Sequence, residues 1–415
     1  MTYTHDPVAI VTAALDQLPP PESISEEKRL QILAAIDKAR VALEPPLVSV
    51  QNLVFSHMGL VGVRVAVSMG IFDALAAGGE SPQTLSQLAE KTKGDETLLL
   101  RILRLLTVHN LIAETAHQTW KPLPLGLGFA SGSPLPEVAK HLYPIPFASA
   151  KLISLPWTSY ANMKASANLD EFLEATDYQN PTDTYNGPWQ FAYKTKDHYF
   201  DWLTQNPEDA HAFNVTMRIN RQVEGAQWFD IYPVEGRLSV SSNDRVQLVD
   251  IGGGLGHDLA GLKRKFPNLP GRLVLEDLPD VIEHAKESIE DGIEVVGYDM
   301  FTEQPLKGAK AYYLRTVLHD WPDKQSLLAL ARVREAMADD SVLLINENTL
   351  PEVGASSFSV SLDMNMMNIF AALERTEKQW VDLLERAGFR VVKIWRADYD
   401  GVGSNALFEA VACQL

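Results

Sequence analysis

From Arg245 onward the chain alternates short apolar runs with amphipathic segments, and this alternation restricts the fold more than any other feature. Runs near 246–251, 272–276, 293–297, 311–316 and 341–347 have the length and composition of strands. Segments near 258–266, 280–288, 324–338 and 376–387 carry helical periodicity. Strands joined through helices pair in parallel, so the expected fold is a mostly parallel, doubly wound α/β sheet. Two further runs, 390–396 and 406–412, flank the turn Asp400-Gly401-Val402-Gly403 and read as a hairpin with an antiparallel edge. Ligands of such sheets bind outside the carboxyl ends of the strands. Asp250, Asp277, Asp299 and the stretch from Arg315 to His319 all fall on that rim.

The first strand of the series runs into Asp250-Ile251-Gly252-Gly253-Gly254-Leu255-Gly256. Glycines let a backbone reach positive φ and bring a ligand close to amide N–H groups. A pyrophosphate loop would show Gly-x-Gly-x-x-Gly. Here Gly252, Gly254 and Gly256 alternate behind an acid, a pattern better suited to an amine-bearing or cationic ligand. Asp277 ends the next apolar run, where an acid hydrogen-bonds ribose hydroxyls. The loop alone is equally a plain turn; the second acid moves the reading to a nucleoside cofactor.

Composition sets outer limits. The chain has 415 residues, enough for two or three domains, with 46% hydrophobic and 22% charged residues. A formal net charge of −18 argues against nucleic-acid and anionic-membrane surfaces. The single cysteine, Cys413, excludes an internal disulfide and a cysteine metal cluster. No apolar run has transmembrane length, and the acids Asp6 and Asp16 do not fit a signal peptide, so a cytoplasmic location is expected.

Upstream, four regions follow one another. Residues 1–45 hold two helical arms, Val8 to Leu18 and Glu26 to Leu43, read as packing on the subunit or on a partner, or as a solvated terminus. Residues 46–122 read as buried helices up to Gly79, then helices from Leu85 to Lys91 and from Glu96 to His109. Two short strands, Leu111 to Glu114 and Thr119 to Pro122, follow. Helices followed by a hairpin make a winged helix. Arg101 and Arg104 lie on its third helix, but the acidity favours a dimerising role over DNA binding. Residues 123–240 are helical and aromatic, a linker and candidate substrate-pocket region; 241–415 form the sheet domain. Trp189, Phe191, Tyr193, Met364, Met366 and Met367 are candidate walls for a flat apolar substrate, with ordinary core as the competing reading.

His319, in Leu318-His319-Asp320-Trp321, follows the strand Ala311 to Thr316. Glu347 ends the next strand and Glu374 precedes the helix at Thr376. An imidazole beside carboxylates is held in one tautomer and stabilised when protonated, the arrangement of a general base. The competing readings are a structural histidine and two solvated acids. A metal would need three or four converging ligands, which one histidine and two distant acids barely offer.

These motifs, in this order, resemble the S-adenosylmethionine-dependent O-methyltransferases that carry a winged-helix dimerisation domain before a Rossmann-like catalytic domain. The likeness runs from about residue 46 to the end. Asp250 to Gly256 is similar to the family's cofactor loop, with Asp250, Gly252 and Gly254 in it. Glu276-Asp277-Leu278-Pro279 is similar to its ribose segment. Gly297-Tyr298-Asp299-Met300-Phe301 is similar to Gly-Asp-Met-Phe, with Tyr298 in a glycine's place and Asp299 and Met300 flanking the adenine. Arg315 stands where a lysine is usual near the cofactor. His319-Asp320-Trp321 matches the base motif, and Glu347 and Glu374 match the two framing acids.

The resemblance implies that His319 takes a substrate hydroxyl's proton during methyl transfer, with Glu347 and Glu374 orienting the ring. Asp320 would join the pocket, and no metal is needed. It also implies a homodimer. The long region 123–240 and the N-terminal arm look like the fungal secondary-metabolism members, whose acceptors are aromatic or polyketide-like. Some fungal relatives keep the cofactor yet catalyse dehydration or a pericyclic rearrangement; there His141 or Arg315 would serve a different reaction.

Overall fold

The computed structural model describes residues 7–413 except 21–22, 80, 134, 137–159, 208, 211–212, 214–226, 354, 356 and 397–404. His141 and the turn at 400–403 therefore lie outside the described residues. The chain divides into two compact units, Met1–Phe55 and Ser56–Leu415.

The first unit holds the helices Pro7–Asp16, Glu26–Leu43 and Pro46–Phe55. Ser25 caps the second, its side chain accepting the Lys28 N–H. Glu44 then ties the bend to the next helix, accepting from Ser49 Oγ at 2.8 Å and Asn52 Nδ2 at 2.6 Å. The helix Pro46–Phe55 was expected to be buried. Val50 and Leu53 instead stay 56% and 75% exposed within the single chain, because its apolar residues ring the helix rather than forming one stripe.

The second unit begins with the helices His57–Ser68, Ile71–Ala76, Leu85–Thr92 and Glu96–Val108. A three-stranded antiparallel sheet, ordered β1 (Gln83–Thr84), β3 (Thr119–Pro122), β2 (Ile112–Ala116), completes the module. Thr84 and Gln87 form a reciprocal capping box and Asp95 caps the following helix, as helix-start chemistry anticipates. Leu75, Leu88, Leu99, Leu103 and Trp120 close its core. Short helices follow, among them Tyr160–Ala167, Leu169–Ala175, Pro188–Tyr193 and Tyr199–Gln205.

The large sheet contains β4 (Val246–Ile251), β5 (Arg272–Asp277), β6 (Ile293–Gly297), β7 (Ala311–Arg315), β8 (Val342–Asn348), β9 (Phe389–Trp395) and β10 (Asn405–Ala412). Their order is β6-β5-β4-β7-β8-β10-β9. The pairs from β6 to β8 are parallel, while β10 runs antiparallel to both β8 and β9. The final hairpin is thus present, but its second strand lies inside the sheet and β9 forms the edge. Alternation sends Val274, Tyr312, Leu343, Ile345 and Phe408 into one core and Leu273, Leu275, Tyr313, Leu344 and Leu407 into the other. The helices Asp323–Ala336 and Glu377–Arg386 cover the first face, and His257–Lys265 and Pro279–Ala285 the second. Sheet crossovers of this kind leave the strand ends free to carry loops, and every candidate site residue between 250 and 320 sits on one such end.

Trp380 is fully buried on the first face and donates its Nε1–H to Asn348 O at 3.0 Å. Trp380→Ala should lower unfolding stability by about 3–5 kcal/mol, read from the shift in denaturant midpoint.

Candidate active site

Gly252, Gly254 and Gly256 take φ of 72°, 61° and 75°, a region that an L side chain occupies only with strain. Gly253 is restricted by space instead: a Cβ there would lie 2.5 Å from Asp250 Oδ2 and from Leu275 Cδ1. The loop is stitched to β5 by Gly252 N–H donating to Glu276 O at 2.7 Å and Gly254 N–H donating to Asp277 Oδ2 at 2.8 Å. Asp277 Oδ1 accepts the Leu278 N–H at 2.7 Å. Asp250, 1% exposed, lies under this loop, and Asp299 and Met300 follow β6 on the same rim. Tyr298 does not crowd the rim where a glycine was expected. It is buried, and its hydroxyl donates to the carbonyls of Met300 and Thr302 at 3.4 and 3.2 Å, bracing the turn from below.

His319 sits on a single 3₁₀ turn, Leu318–Asp320, past the end of β7. The entry to that turn is strained, for Thr316 holds φ at 48°, costly for a β-branched residue. Two buried side chains hold the turn against this cost. Glu347 Oε1, at the end of β8, accepts the Val317 and Leu318 N–H groups at 3.0 and 2.9 Å. Arg375, 1% exposed, donates to Leu318 O and Trp321 O at 3.0 Å each and pairs with Asp323 at 2.8 Å. Glu374 reaches the ring itself, Oε1 lying 2.7 Å from His319 Nδ1, and its own N–H donates to Asp363 Oδ1 at 2.9 Å. The expectation that both glutamates orient the ring is therefore corrected: Glu374 does so directly, whereas Glu347 fixes the backbone that carries it.

Asp320 Oδ1 lies 3.4 Å from His319 Nε2, on the opposite side of the ring from Glu374. Burial alone would lower the imidazole's pKa; the charges of Asp320, Glu374 and Glu347 outweigh burial and push it up to about 10. Burial raises Asp320 to about 7 and Glu347 to about 6. The sign of the linkage is fixed by the raised histidine: protonated His319 stabilises the fold fully below about 6.5, and that contribution fades as pH rises through about 10.

Arg315 was expected near a cofactor as a cation. It is buried, and its Nη1 lies 2.5 Å from Asp258 Oδ1 in the first turn of the helix that follows the glycine loop. Tyr313 donates to the same carboxylate at 3.2 Å, and Asn346 donates to Tyr313 at 3.0 Å. Arg315 thus ties β7 to the loop's helix and arrives with its charge balanced.

The candidate pocket walls divide. Trp189 and Met366, both 0% exposed, are closed inside an aromatic cluster with Tyr199 and Phe370, so the core reading holds for them. Tyr193 stacks on Trp189 at 4.2 Å and Met367 is half-buried. Phe191 and Met364 lie at the surface, 40% and 49% exposed. Sequence reading missed Arg375, His198 and Asp258. A buried arginine between an acid and a helix cap leaves no periodic trace.

A family model described as an O-methyltransferase domain matches residues 179–390, and one described as an O-methyltransferase dimerisation domain matches residues 52–125. The chain is 34% identical to methyltransferase cfoC of Aspergillus candidus, over 91% of this chain and 90% of that one. It is 34% identical to demethylsterigmatocystin 6-O-methyltransferase of Aspergillus flavus, over 80% of each. Among solved structures, LepI in complex with SAM superposes with a TM-score of 0.82 at 27% identity, covering 98% of this chain and 99% of that one. A chain described as a pericyclic reaction enzyme gives the same figures. The chain belongs to the O-methyltransferase family: it is an S-adenosylmethionine-dependent enzyme whose methyltransferase domain follows a dimerisation domain. Among the described residues no helix is long and apolar enough to cross a membrane.

An NMR titration of the ligand-free protein should find His319 still charged at pH 8. Glu374→Gln removes one of the charges that hold the proton and should move the titration to lower pH.

Proposed function

We propose that the enzyme methylates a hydroxyl of an aromatic or polyketide-like secondary metabolite with His319 as general base. The observation that carries this reading is the 2.7 Å contact between Glu374 and His319 Nδ1. It fixes the ring through Nδ1, and Nε2, which Asp320 Oδ1 faces at 3.4 Å, would be the atom that takes a substrate proton. The glycine loop, Asp250, Asp277, Leu278, Asp299 and Met300 would hold S-adenosylmethionine. Three glycines at positive φ keep the loop's backbone bare of side chains, and a carboxylate stands at the end of β5, which fits a ligand lying close to the backbone with a ribose beyond it. When bound, S-adenosylmethionine supplies an electrophilic methyl group and a positive charge.

His319 must shed its resting proton before it can take one from a hydroxyl. Added positive charge nearby eases that loss, and the three acids then stabilise the imidazolium that forms. Asp320, beside Nε2, would face the acceptor. The substrate class follows that of the relatives, one of which is described as acting on demethylsterigmatocystin.

The same reading includes a homodimer built through residues 46–122, with the winged-helix arrangement serving subunit contact rather than nucleic acid. The exposed Val8, Leu43, Leu47 and Leu53 of the first unit would be covered by the second copy. A cytoplasmic location, without membrane attachment, completes it. A monomer in light scattering at micromolar protein would sink the dimer.

Purified protein, methyl-labelled S-adenosylmethionine and a metabolite extract of the producing host should together yield a labelled small molecule. His319→Ala should cut the rate by about 10²–10⁴. A metabolite that changes at constant mass or loses water, with no label moved, would favour the rearrangement or dehydration that the likeness to a pericyclic reaction enzyme keeps in view. With the cofactor saturating, the acid limb of kcat should fall below the His319 pKa of the free protein, and Glu374→Gln should shift it lower still. An acid limb unmoved by that substitution would remove His319 from the role of base.

A further inference from the structure

His198 is a buried titratable side chain that the methyl-transfer reading leaves unused. It precedes the helix Tyr199–Gln205 and is 3% exposed. Its Nδ1 accepts the Phe200 N–H at 3.3 Å, while its own backbone N–H donates to Asp201 Oδ2 at 3.2 Å. Burial lowers its pKa to about 4, so the ring is neutral at physiological pH. With Nδ1 accepting, the single ring proton sits on Nε2, which is therefore a donor. Nε2 is buried and has no hydrogen-bond partner among the described residues.

The ring's surroundings offer that donor aromatic carbon. His198 lies parallel on Trp321 at 4.6 Å and 6°, with Phe370 at 5.6 Å, Phe200 at 5.2 Å and Tyr185 at 5.8 Å. Trp321 stands two residues after His319, and its ring also meets Phe301 edge-on at 4.6 Å, next to Met300. His198 is thus one stacked ring away from the segment that carries the base. A buried donor without an acceptor is costly to leave unmet, a cost that an incoming acceptor would recover.

The geometry points to His198 as a specificity-determining residue whose Nε2–H donates to an acceptor oxygen, a ring carbonyl, of a planar aromatic substrate. The assignment rests on the proposed reading in which the acceptor lies beside Asp320, next in the chain to Trp321. A substrate with a keto or quinone oxygen satisfies the donor; an otherwise identical hydrocarbon ring leaves it unmet and binds more weakly.

Two probes test this in the full-length protein saturated with S-adenosylhomocysteine: 2-hydroxyanthraquinone and 2-hydroxyanthracene, which differ in the two carbonyls. Calorimetry should show the wild type binding the quinone about tenfold more tightly. His198→Phe keeps a flat ring on Trp321 but lacks the donor, and should bring the two affinities together. His198→Gln should keep part of the difference. S-adenosylhomocysteine affinity and Tm serve as controls for folding of both variants. In the wild type, the His198 ring ¹⁵N resonances should shift with the quinone and stay put with the anthracene, a readout that needs no variant. Equal affinities in the wild type, no binding of either probe, or a preference that survives His198→Phe would overturn the assignment. Discrimination without methyl transfer to any acceptor would strike the methyl-transfer reading and spare this one; methyl transfer without discrimination would do the reverse.

Discussion

The hold that Glu347 and Arg375 exert on the turn from Val317 to Trp321 is the constraint on which the rest of the site depends. The carboxylate takes the turn's N–H groups and the guanidinium takes its carbonyls, so one short segment is gripped at both its polar ends. The grip offsets a strained Thr316 and spends two buried charges on a backbone. A buried charge with its partner removed is worth a loss of several kcal/mol, so neither residue can be traded lightly. What the arrangement secures is the position of one imidazole. His319 inherits its place from β7, its turn from Glu347 and Arg375, and its ring orientation from Glu374.

That division of labour also sets the electrostatics. Three acids face one histidine in a region from which water is excluded. Such a cluster favours positive charge wherever it can be found. In the resting protein His319 supplies it by keeping its proton. On the reading proposed above, a cation bound on the rim would take over from the imidazolium, and the ring would then be able to act as a base. The balanced Arg315–Asp258 pair fits this account, since it holds a positive charge on the rim without offering it to the acids.

Much of the sheet was legible because its strands are buried on both faces and punctuated by glycine, proline and acid. The runs near 246–251 and 293–297 have the bounds observed, and the rim acids follow from their strand ends. The base motif and its two acids were equally visible as a set. Three things were not. The separate tasks of Glu347 and Glu374 depend on which oxygen reaches which donor, a matter of ångströms rather than of pattern. The place of β10 inside the sheet is a long-range pairing that no local signal encodes. The exposure of Val50 and Leu53 was hidden because apolar content predicts burial without saying which chain supplies the cover.

Trp321 is where the two halves of the catalytic unit meet. One side of its neighbourhood, Phe301 and Met300, belongs to the sheet's rim; the other, His198 and Phe370, belongs to the helical segments 199–205 and 357–370. The rim is built from backbone geometry and strand ends, and changes there would disturb the sheet. The helical side is built from side chains that interdigitate around Trp189, Tyr199 and Met366, where one aromatic can replace another at modest cost. A fold arranged this way can alter its acceptor without disturbing its cofactor, and the residues that tune the acceptor should be sought on the helices. His198 is placed where such tuning would act: one ring removed from the turn that carries His319, with a polar atom among rings that cannot satisfy it.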